Sequence, residues 1–483
     1  MVRDAMQTRV RAAGILLAIA SVAAAVVAER LQPIESLARV RVIVTTKAAS
    51  TSITAAGATI ASYIATVDSG PPSATVSRTG RALQLTRNVA GQTAEARFDV
   101  VLADVSPGTP ITWSLAADSS AETQIAVYSL ADLTRPALVD RFSATTSAQV
   151  PAQFTTDAAF VARPPSIRMT PLLPRLVLAF YYPWYTAETW SDPQMADRPL
   201  RIYSTEAPPD VNAQAVMARA AGIDAWVVSW QGLEAGSGFN DRRMRIALDA
   251  ARAAGMRACV YTETYVANPT NDASRGIDPR TLFEWLADIV DLYGSHPAYL
   301  RVGGRPVIFT YAASLLPQAD WAEVMARLRT SGRDPLIIGD FVRSTLLEPF
   351  DGEYQYSNVF SSGDALADVV RAESLRVRTF NLLREGDRRR VWVASVTPGF
   401  DDSHLVDRRT PRIIDRSNGA VYDDQWSKAV DTGADWVVVT SWNEWWENTE
   451  IEPGRRYGRA YLERTKFWAD AFKSTSGAIP AIR

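Results

Sequence analysis

Two glutamates three residues apart, Glu444 and Glu447, combine type and spacing in a way that could do chemistry. They stand in the run SWNEWWENTEIEP, directly after the apolar segment WVVVT. In a turn or a first helical turn this spacing puts both side chains on one face, with Cβ atoms about 5–6 Å apart. Two close carboxyl groups in a partly apolar, aromatic setting raise each other's proton affinity, so that one stays an acid near neutrality. Such a pair suits glycoside hydrolysis, which commonly needs two carboxyl groups astride the scissile bond. The same spacing would also serve to begin a helix, or to pair with Arg455 and Arg456.

Other catalytic machinery is thinly supplied. The single cysteine, Cys259, excludes an internal disulfide framework. With only two histidines, His296 and His404, no Cys/His zinc site is expected, and no metal or cofactor is assigned. A Ser-His-Asp triad would have to use one of those two histidines.

Further polar and aromatic residues fall at the ends of apolar, strand-length runs. Tyr181, Tyr182, Trp184 and Tyr185 close LVLAFYYPW, and Trp230 and Gln231 close AWVVSW. Glu263 ends RACVYTE with Tyr265 just beyond, Tyr311 ends PVIFTY and Asp340 ends PLIIGD. VWVASVTPG runs into Asp401, Asp402 and His404, and the last run carries Trp442, Asn443, Trp445 and Trp446 around the glutamates. Aromatic faces that stack on the C–H-rich faces of pyranose rings, beside carboxylates that bond hydroxyls, describe a sugar site. Thirteen of the 14 tryptophans lie after Pro174, although any one of them could equally be core. Glu263 reads as a third acid or as an arginine partner. Asp401 and Asp402 read as hydroxyl ligands or turn caps, and His404 as a surface loop residue.

The elements that must position these groups follow from the pattern. Eight continuously apolar runs after Pro174, with YQYSNVF (354–360) as the sixth, read as parallel strands buried on both faces. Between them lie helix signals. Asp278-Pro279 supplies an N-cap and N1 proline before Phe283, Leu286, Ile289, Val290 and Tyr293, and Asp320 with Glu323 has the pattern of a capping box. Gly222, Gly255, Gly332 and Gly433 stand where helices should stop. Eight β–α alternations predict an α/β fold, a (β/α)8 TIM barrel over 175–475, whose site sits at the C-terminal ends of its strands. A doubly wound sheet competes, but no G-x-G-x-x-G follows the first strand.

The region 31–161 has another texture, rich in Ala, Thr, Ser and Val. Short alternating runs such as RALQLTRNV, EARFDVVLADV, ITWSLAADS and TQIAVYSL predict an all-β, sandwich-like accessory domain. Its role reads as packing or carbohydrate binding. Residues 162–174, with four prolines from Ala162 to Pro174, read as a stiff linker. At the N-terminus, Arg3, Arg9 and Arg11 precede an apolar run from Ala12 to Ala28. Residues 1–30 therefore read as a signal peptide or a membrane anchor, placing the rest outside the cytoplasm.

Composition narrows the partners. The 483 residues are 47% hydrophobic and 22% charged, the profile of an ordinary globular chain rather than a disordered or polytopic membrane protein. With 51 basic and 53 acidic residues the net charge is −2, so nothing points to nucleic acid. The expected partner is an oligosaccharide or polysaccharide, with membrane anchoring by the N-terminal segment left open.

SWNEWWENTEIEP followed by YGRAYLERTKFW resembles glycoside hydrolase family 99, the endo-α-mannosidases and endo-α-mannanases, and its wider clan. AFYYPWY, VVSWQG, HPAYLRVGGRPVIFTY and TPGFDDS resemble the same family in the same order, so that the similarity runs from about Leu176 to Lys473. The resemblance implies a metal-free (β/α)8 barrel that hydrolyses α-linked glycans with retention. The glutamate matching Glu444 would act as base on the substrate's own 2-hydroxyl, which attacks C1 to give an epoxide-like anhydrosugar. The glutamate matching Glu447 would protonate the leaving oxygen and later activate water. The chain departs from the family's pattern at Gln231 and Trp446, both flanking the expected sugar pocket. EIEPGRRYGRAYL is also similar to relatives encoded with bacterial surface-polysaccharide genes. A polysaccharide-assembly or glycan-binding role for the same barrel is therefore the alternative reading.

Overall fold

The computed structural model describes residues 38–67, 74–79, 82–87, 93–103, 105, 110–130, 137–156, 173–233, 239–264, 277–340, 349–356, 389–406 and 411–474, with isolated positions between 366 and 381. The arginine-flanked apolar run, Tyr265 and most of the proline-rich segment lie outside the described residues. Among the described residues no helix is long and apolar enough to cross a membrane. The chain divides into two compact units, one holding the strands up to and including the one that ends at Thr156, the other made of Leu172–Val377 and Arg388–Ser474.

The first unit is built from strands alone. One antiparallel sheet takes β1 (Ala38–Thr46), β3 (Thr59–Val67), β6 (Ala94–Ala103), β8 (Ala121–Ser129) and β9 (Ala137–Thr146), in the order β3-β6-β1-β8-β9. The other takes β2 (Ser50–Ala56), β4 (Ala74–Thr79), β5 (Ala82–Arg87), β7 (Ile111–Ala117) and β10 (Ala152–Thr156), in the order β10-β7-β2-β5-β4. Period-two alternation puts every second side chain inward. Val40, Val42, Val44 and Phe98 of the first sheet thus share one core with Ile53, Leu83, Ile111, Trp113 and Leu115 of the second. Trp113 is fully buried, and its Nε1 donates to Thr156 Oγ1 at 3.1 Å, so its polar atom is satisfied.

The second unit is a closed barrel of eight parallel strands: β11 (Leu176–Tyr181), β12 (Ala225–Trp230), β13 (Arg257–Glu263), β15 (Arg305–Tyr311), β16 (Leu336–Asp340), β17 (Gly352–Tyr354), β18 (Val391–Val396) and β21 (Trp436–Val439). β21 pairs with β11 in register Leu176↔Trp436 to Ala179↔Val439, which closes the ring. A short β14 (Arg301–Val302) pairs with the start of β15, and β19 (Phe400–Asp401) pairs antiparallel with β20 (Ile413–Ile414). Helices α1 (Pro208–Ala220), α2 (Phe239–Ala253), α3 (Pro279–Leu292), α4 (Gln318–Thr330), α5 (Ala420–Asp431) and α6 (Ala460–Ser474) belong to the same unit. The interior is filled, as such barrels require. The Phe180 ring lies 4.7 Å from that of Tyr261, 6.2 Å from Phe309 and 5.7 Å from Tyr354, an aromatic floor beneath the strand ends.

The local signals act much as their chemistry predicts. Asp278 caps α3, accepting from the Arg280 and Thr281 amides at 3.0 and 3.1 Å. The four helix-ending glycines all take positive φ, Gly222 at +85°, where a β-carbon would be strained. Two expectations need correction. Asp320 does not cap α4: Pro317, whose ring presets φ, stands at the N-cap three residues earlier and leaves Asp320 in the first turn. The sixth strand is Gly352–Tyr354 rather than 354–360, and 357–360 lie outside the described residues. A β-carbon on Gly352 would sit 2.5 Å from Ile338 Cδ1 and 2.7 Å from the Val391 carbonyl, so the neighbouring strands close in on a position that only glycine fits.

Candidate active site

β21 ends at Val439, and the chain leaves the sheet in a non-helical loop that carries both glutamates. The loop is stitched to itself. Ser441 N–H donates to the Thr449 carbonyl at 2.8 Å, Glu444 N–H to Ser441 Oγ at 2.7 Å, and Thr449 N–H to the Glu444 carbonyl at 3.2 Å. Asn448 takes φ +50°, a left-handed turn that asparagine tolerates better than most residues. Asn443 ties this loop to the end of β11. Its Oδ1 accepts from Tyr182 N–H at 2.7 Å and its Nδ2 donates to the Tyr182 carbonyl at 2.9 Å. One fully buried amide thereby fixes Tyr182 relative to Glu444.

Glu444 is buried, 4% exposed, and Glu447 is half-buried. Burial pushes the Glu444 carboxyl well above the ordinary carboxylate range, and the negative charges of Glu447 and Glu263 add to it. The Trp446 amide at 3.1 Å and the Tyr185 hydroxyl at 3.4 Å donate to Glu444 Oε1 and pull the other way. Glu263, at the end of β13, is also raised by burial. It accepts from the Ser229 hydroxyl and, at 3.2 Å, from Gln231 Nε2, so its partners are neutral and the arginine reading is set aside. Arg455 and Arg456 are exposed, and the Arg456 guanidinium lies over Tyr457, 5.2 Å from its centroid.

Tyr182 binds these groups into one site. Burial, the Tyr356 hydroxyl and the charges of Glu444, Glu263 and Glu447 all raise its phenol. Its hydroxyl is hydrogen-bonded to that of Tyr356. Tyr356 is held in turn by Asp340, whose Oδ1 accepts from the Tyr356 amide at 3.0 Å. The ends of β11, β13 and β21, together with the segment just after β17, therefore bring three carboxylates and two phenols to one mouth of the barrel.

The expected aromatic residues divide into two groups. Tyr182, Trp184 and Trp446 stand at this mouth, and the half-buried Trp184 ring packs 4.6 Å from Tyr182. Tyr311, at the end of β15, packs edge-on against Tyr356 at 5.4 Å. The others face away. Tyr181 points outward and donates to Gln214 of α1 at 2.9 Å, and Trp226 stacks on it at 4.3 Å. Trp442 lies behind Trp226 at 6.2 Å, and Trp230 packs edge-on against Trp285 of α3 at 5.2 Å. Trp445 is fully buried, with its Nε1 on the Tyr203 hydroxyl at 3.2 Å and its ring edge-on to Trp190. Asn443 positions Tyr182 through its backbone. Asp401 and Asp402 act as turn acceptors, from Ser403 N–H at 3.0 Å and Arg412 N–H at 2.6 Å, and His404 is exposed on the same loop. Tyr185 and Asp340, already placed at strand ends by the sequence, complete the site together with Tyr356 and Ser229, which the sequence reading did not single out. Among the described residues no group of three His, Cys, Asp or Glu side chains is arranged to hold a metal ion.

A (β/α)8 barrel with carboxylates and half-exposed rings at the C-terminal ends of its strands is the architecture of a glycosidase. The family model of glycosyl hydrolase family 99 matches residues 197–473, more than half of the chain. The mouse glycoprotein endo-alpha-1,2-mannosidase is 25% identical over 361 residues, 61% of this chain and 74% of that protein. The human glycoprotein endo-alpha-1,2-mannosidase-like protein is 26% identical over 307 residues, 56% of this chain and 63% of that protein. Among solved structures, the family 99 endo-alpha-mannosidase from Bacteroides thetaiotaomicron aligns with a TM-score of 0.52 at 26% identity, covering 62% of this chain and 98% of that one. The chain belongs to glycosyl hydrolase family 99 and is a glycosidase.

Proposed function

We propose that this glycosidase cleaves α-linked mannosides with retention of configuration, using Glu444 and Glu447 as its working pair. The observation that carries the reading is the burial of Glu444 beside a second, more exposed carboxyl, with the uncharged Trp446 amide and Tyr185 hydroxyl as the donors to its Oε1. Two such groups hold one proton between them, because ionising both would bury two like charges together. When that proton resides on Glu447 its repulsion of Glu444 is gone, and the Trp446 amide and Tyr185 hydroxyl favour an ionised Glu444.

Glu444 then takes the proton of the sugar 2-hydroxyl, whose oxygen bonds C1 as the bond from C1 to the leaving oxygen breaks. Glu447 gives its proton to that oxygen. In the second step water attacks C1 and yields a proton to Glu447, the C1–O2 bond opens, and Glu444 returns its proton to O2. Each step conserves protons, and both carboxyls regain their starting states. Trp184 and Trp446 would offer ring faces to the sugar and Glu263 a fixed acceptor for a hydroxyl. The mannoside assignment is supported by the names of the relatives, which describe endo-acting mannosidases.

The test is incubation with a panel of α-linked mannans, glucans and galactans, with products identified and the first-formed anomer followed by proton NMR. Release from the mannans alone, with the α-anomer appearing first, is expected. Release only from another glycan, or the β-anomer first, would overturn the assignment. We also propose export, on the strength of Arg3, Arg9 and Arg11 before the run Ala12 to Ala28. The protein should appear in the medium or the membrane fraction; a wholly cytosolic pool with an intact N-terminus would refute this.

A further inference from the structure

Arg416 lies 28 residues before Glu444 in sequence and makes no contact with it, yet it is tied to the glutamate loop more densely than any other cation described. It follows β20 and is buried, 4% exposed. Nη1 donates to the Glu450 carbonyl at 2.9 Å. Nη2 donates to the Asn448 carbonyl at 2.8 Å and to Glu450 Oε1 at 2.7 Å. The guanidinium lies over two rings, 4.2 Å from the centroid of Tyr457 and 4.5 Å from that of Tyr461. Its stem is gripped as well: a β-carbon on Gly399 would fall 2.5 Å from Arg416 Cγ.

A second tie meets the same turn from the neighbouring strand. Asp401 N–H donates to the Glu447 carbonyl at 2.8 Å, and Asn448 Nδ2 donates to the Asp401 carbonyl at 3.2 Å. The carbonyls of residues 447, 448 and 450 are thus all taken by β19 or by Arg416, in a segment with no helix or strand of its own to satisfy them. Such a loop holds one shape only if its polar groups are claimed in a fixed geometry, and the planar, always charged guanidinium claims three acceptors at once.

We infer that Arg416 is a positioning residue for the glutamate pair: by fixing Asn448 and Glu450 it fixes where Glu444 and Glu447 point. The inference rests on the glutamate-pair reading above. A lysine offers a compact ammonium in place of the fork and cannot reproduce the three bonds together. Displacing reacting groups by about 1 Å costs on the order of 10²-fold in turnover.

The test uses the full chain with Arg416→Lys, Glu450→Gln and, as control, Glu447→Gln. Turnover and KM are read on an activated aryl α-mannoside, alongside the thermal midpoint and the Kd for an unreactive thio-linked mannoside. Arg416→Lys should lose about 10–100-fold in kcat with KM and Kd within about threefold. Glu450→Gln keeps both carbonyl bonds of Arg416 and should lose about threefold, which reads the same brace if Arg416→Lys fails to fold. Unchanged kcat in either folded variant overturns the inference, as does a loss that appears wholly in Kd. Full turnover of a natural-linkage α-mannoside by Glu447→Gln would instead refute the glutamate-pair reading, whatever Arg416 does.

Discussion

Replacing Asn443 by leucine removes one side chain of similar size and leaves two backbone groups stranded. Asn443 Oδ1 accepts from Tyr182 N–H at 2.7 Å and Nδ2 donates to the Tyr182 carbonyl at 2.9 Å. Both sides of this contact are buried, with Asn443 at 0% and Tyr182 at 3% exposure, so water cannot take over without opening the loop. Each buried group left unpaired costs about 1–3 kcal/mol, which gives about 2–6 kcal/mol for the pair. That is a large fraction of the roughly 5–15 kcal/mol that holds a typical domain together. Thirteen of the 14 tryptophans follow Pro174, so intrinsic fluorescence during urea unfolding reports chiefly on the barrel. The variant's midpoint should fall by the corresponding amount. In the fraction that stays folded, turnover should drop by on the order of 10²-fold, because Tyr182 no longer holds its hydroxyl against Tyr356 between the carboxylates. Stability within about 0.5 kcal/mol of the parent, with normal turnover, would refute the claim that this amide sets the site.

Glu452 sits under the same loop, buried, with its carboxyl pushed up to about 8 by burial, against the opposing hydrogen bonds of Gln214, Tyr203 and Trp445. The native state therefore keeps a proton that the unfolded chain has lost above its ordinary carboxylate pKa of about 4.3. This contribution to stability is fully present at low pH and is lost as pH rises towards 8. Thermal midpoints between pH 5 and 9 should fall less steeply for Glu452→Gln than for the parent, and equal slopes would contradict the assignment. Trp184→Ala should raise KM for the glycan with little change in the unfolding midpoint. Trp230→Ala should do the reverse, losing about 3–5 kcal/mol of stability as its packing on Trp285 goes, and a KM effect at Trp230 would place it in the site after all.

The barrel was legible because parallel strands covered on both faces read as unbroken apolar runs, and the helix-ending glycines and Asp278-Pro279 punctuate them. That same double burial hid which aromatics face the cleft. Tyr181 and Tyr182 are adjacent, and strand alternation sends one to Gln214 of α1 and the other to the carboxylates. With apolar neighbours on both sides, the sequence offers no contrast to mark that parity, so Trp230 and Trp442 passed for site residues. Tyr356 escaped notice because it follows a strand only three residues long, and its position depends on Asp340, which lies on a different strand. Ser229 escaped because a lone serine in AWVVSW carries no signal until Glu263 is seen beside it. The glutamates stood out in the sequence because a three-residue spacing puts both side chains on one face in a turn as well as in a helix.

The most direct test of the central claim compares Glu447→Gln with the parent on two α-mannosides, one with an activated aryl leaving group and one with a natural sugar leaving group. A positioned general acid is worth about 10²–10⁴-fold. The account predicts a loss of that size on the natural linkage and a clearly smaller loss on the activated one, while Glu444→Gln fails on both. Full turnover of the natural linkage by Glu447→Gln, in a protein with the parent's unfolding midpoint, would contradict it.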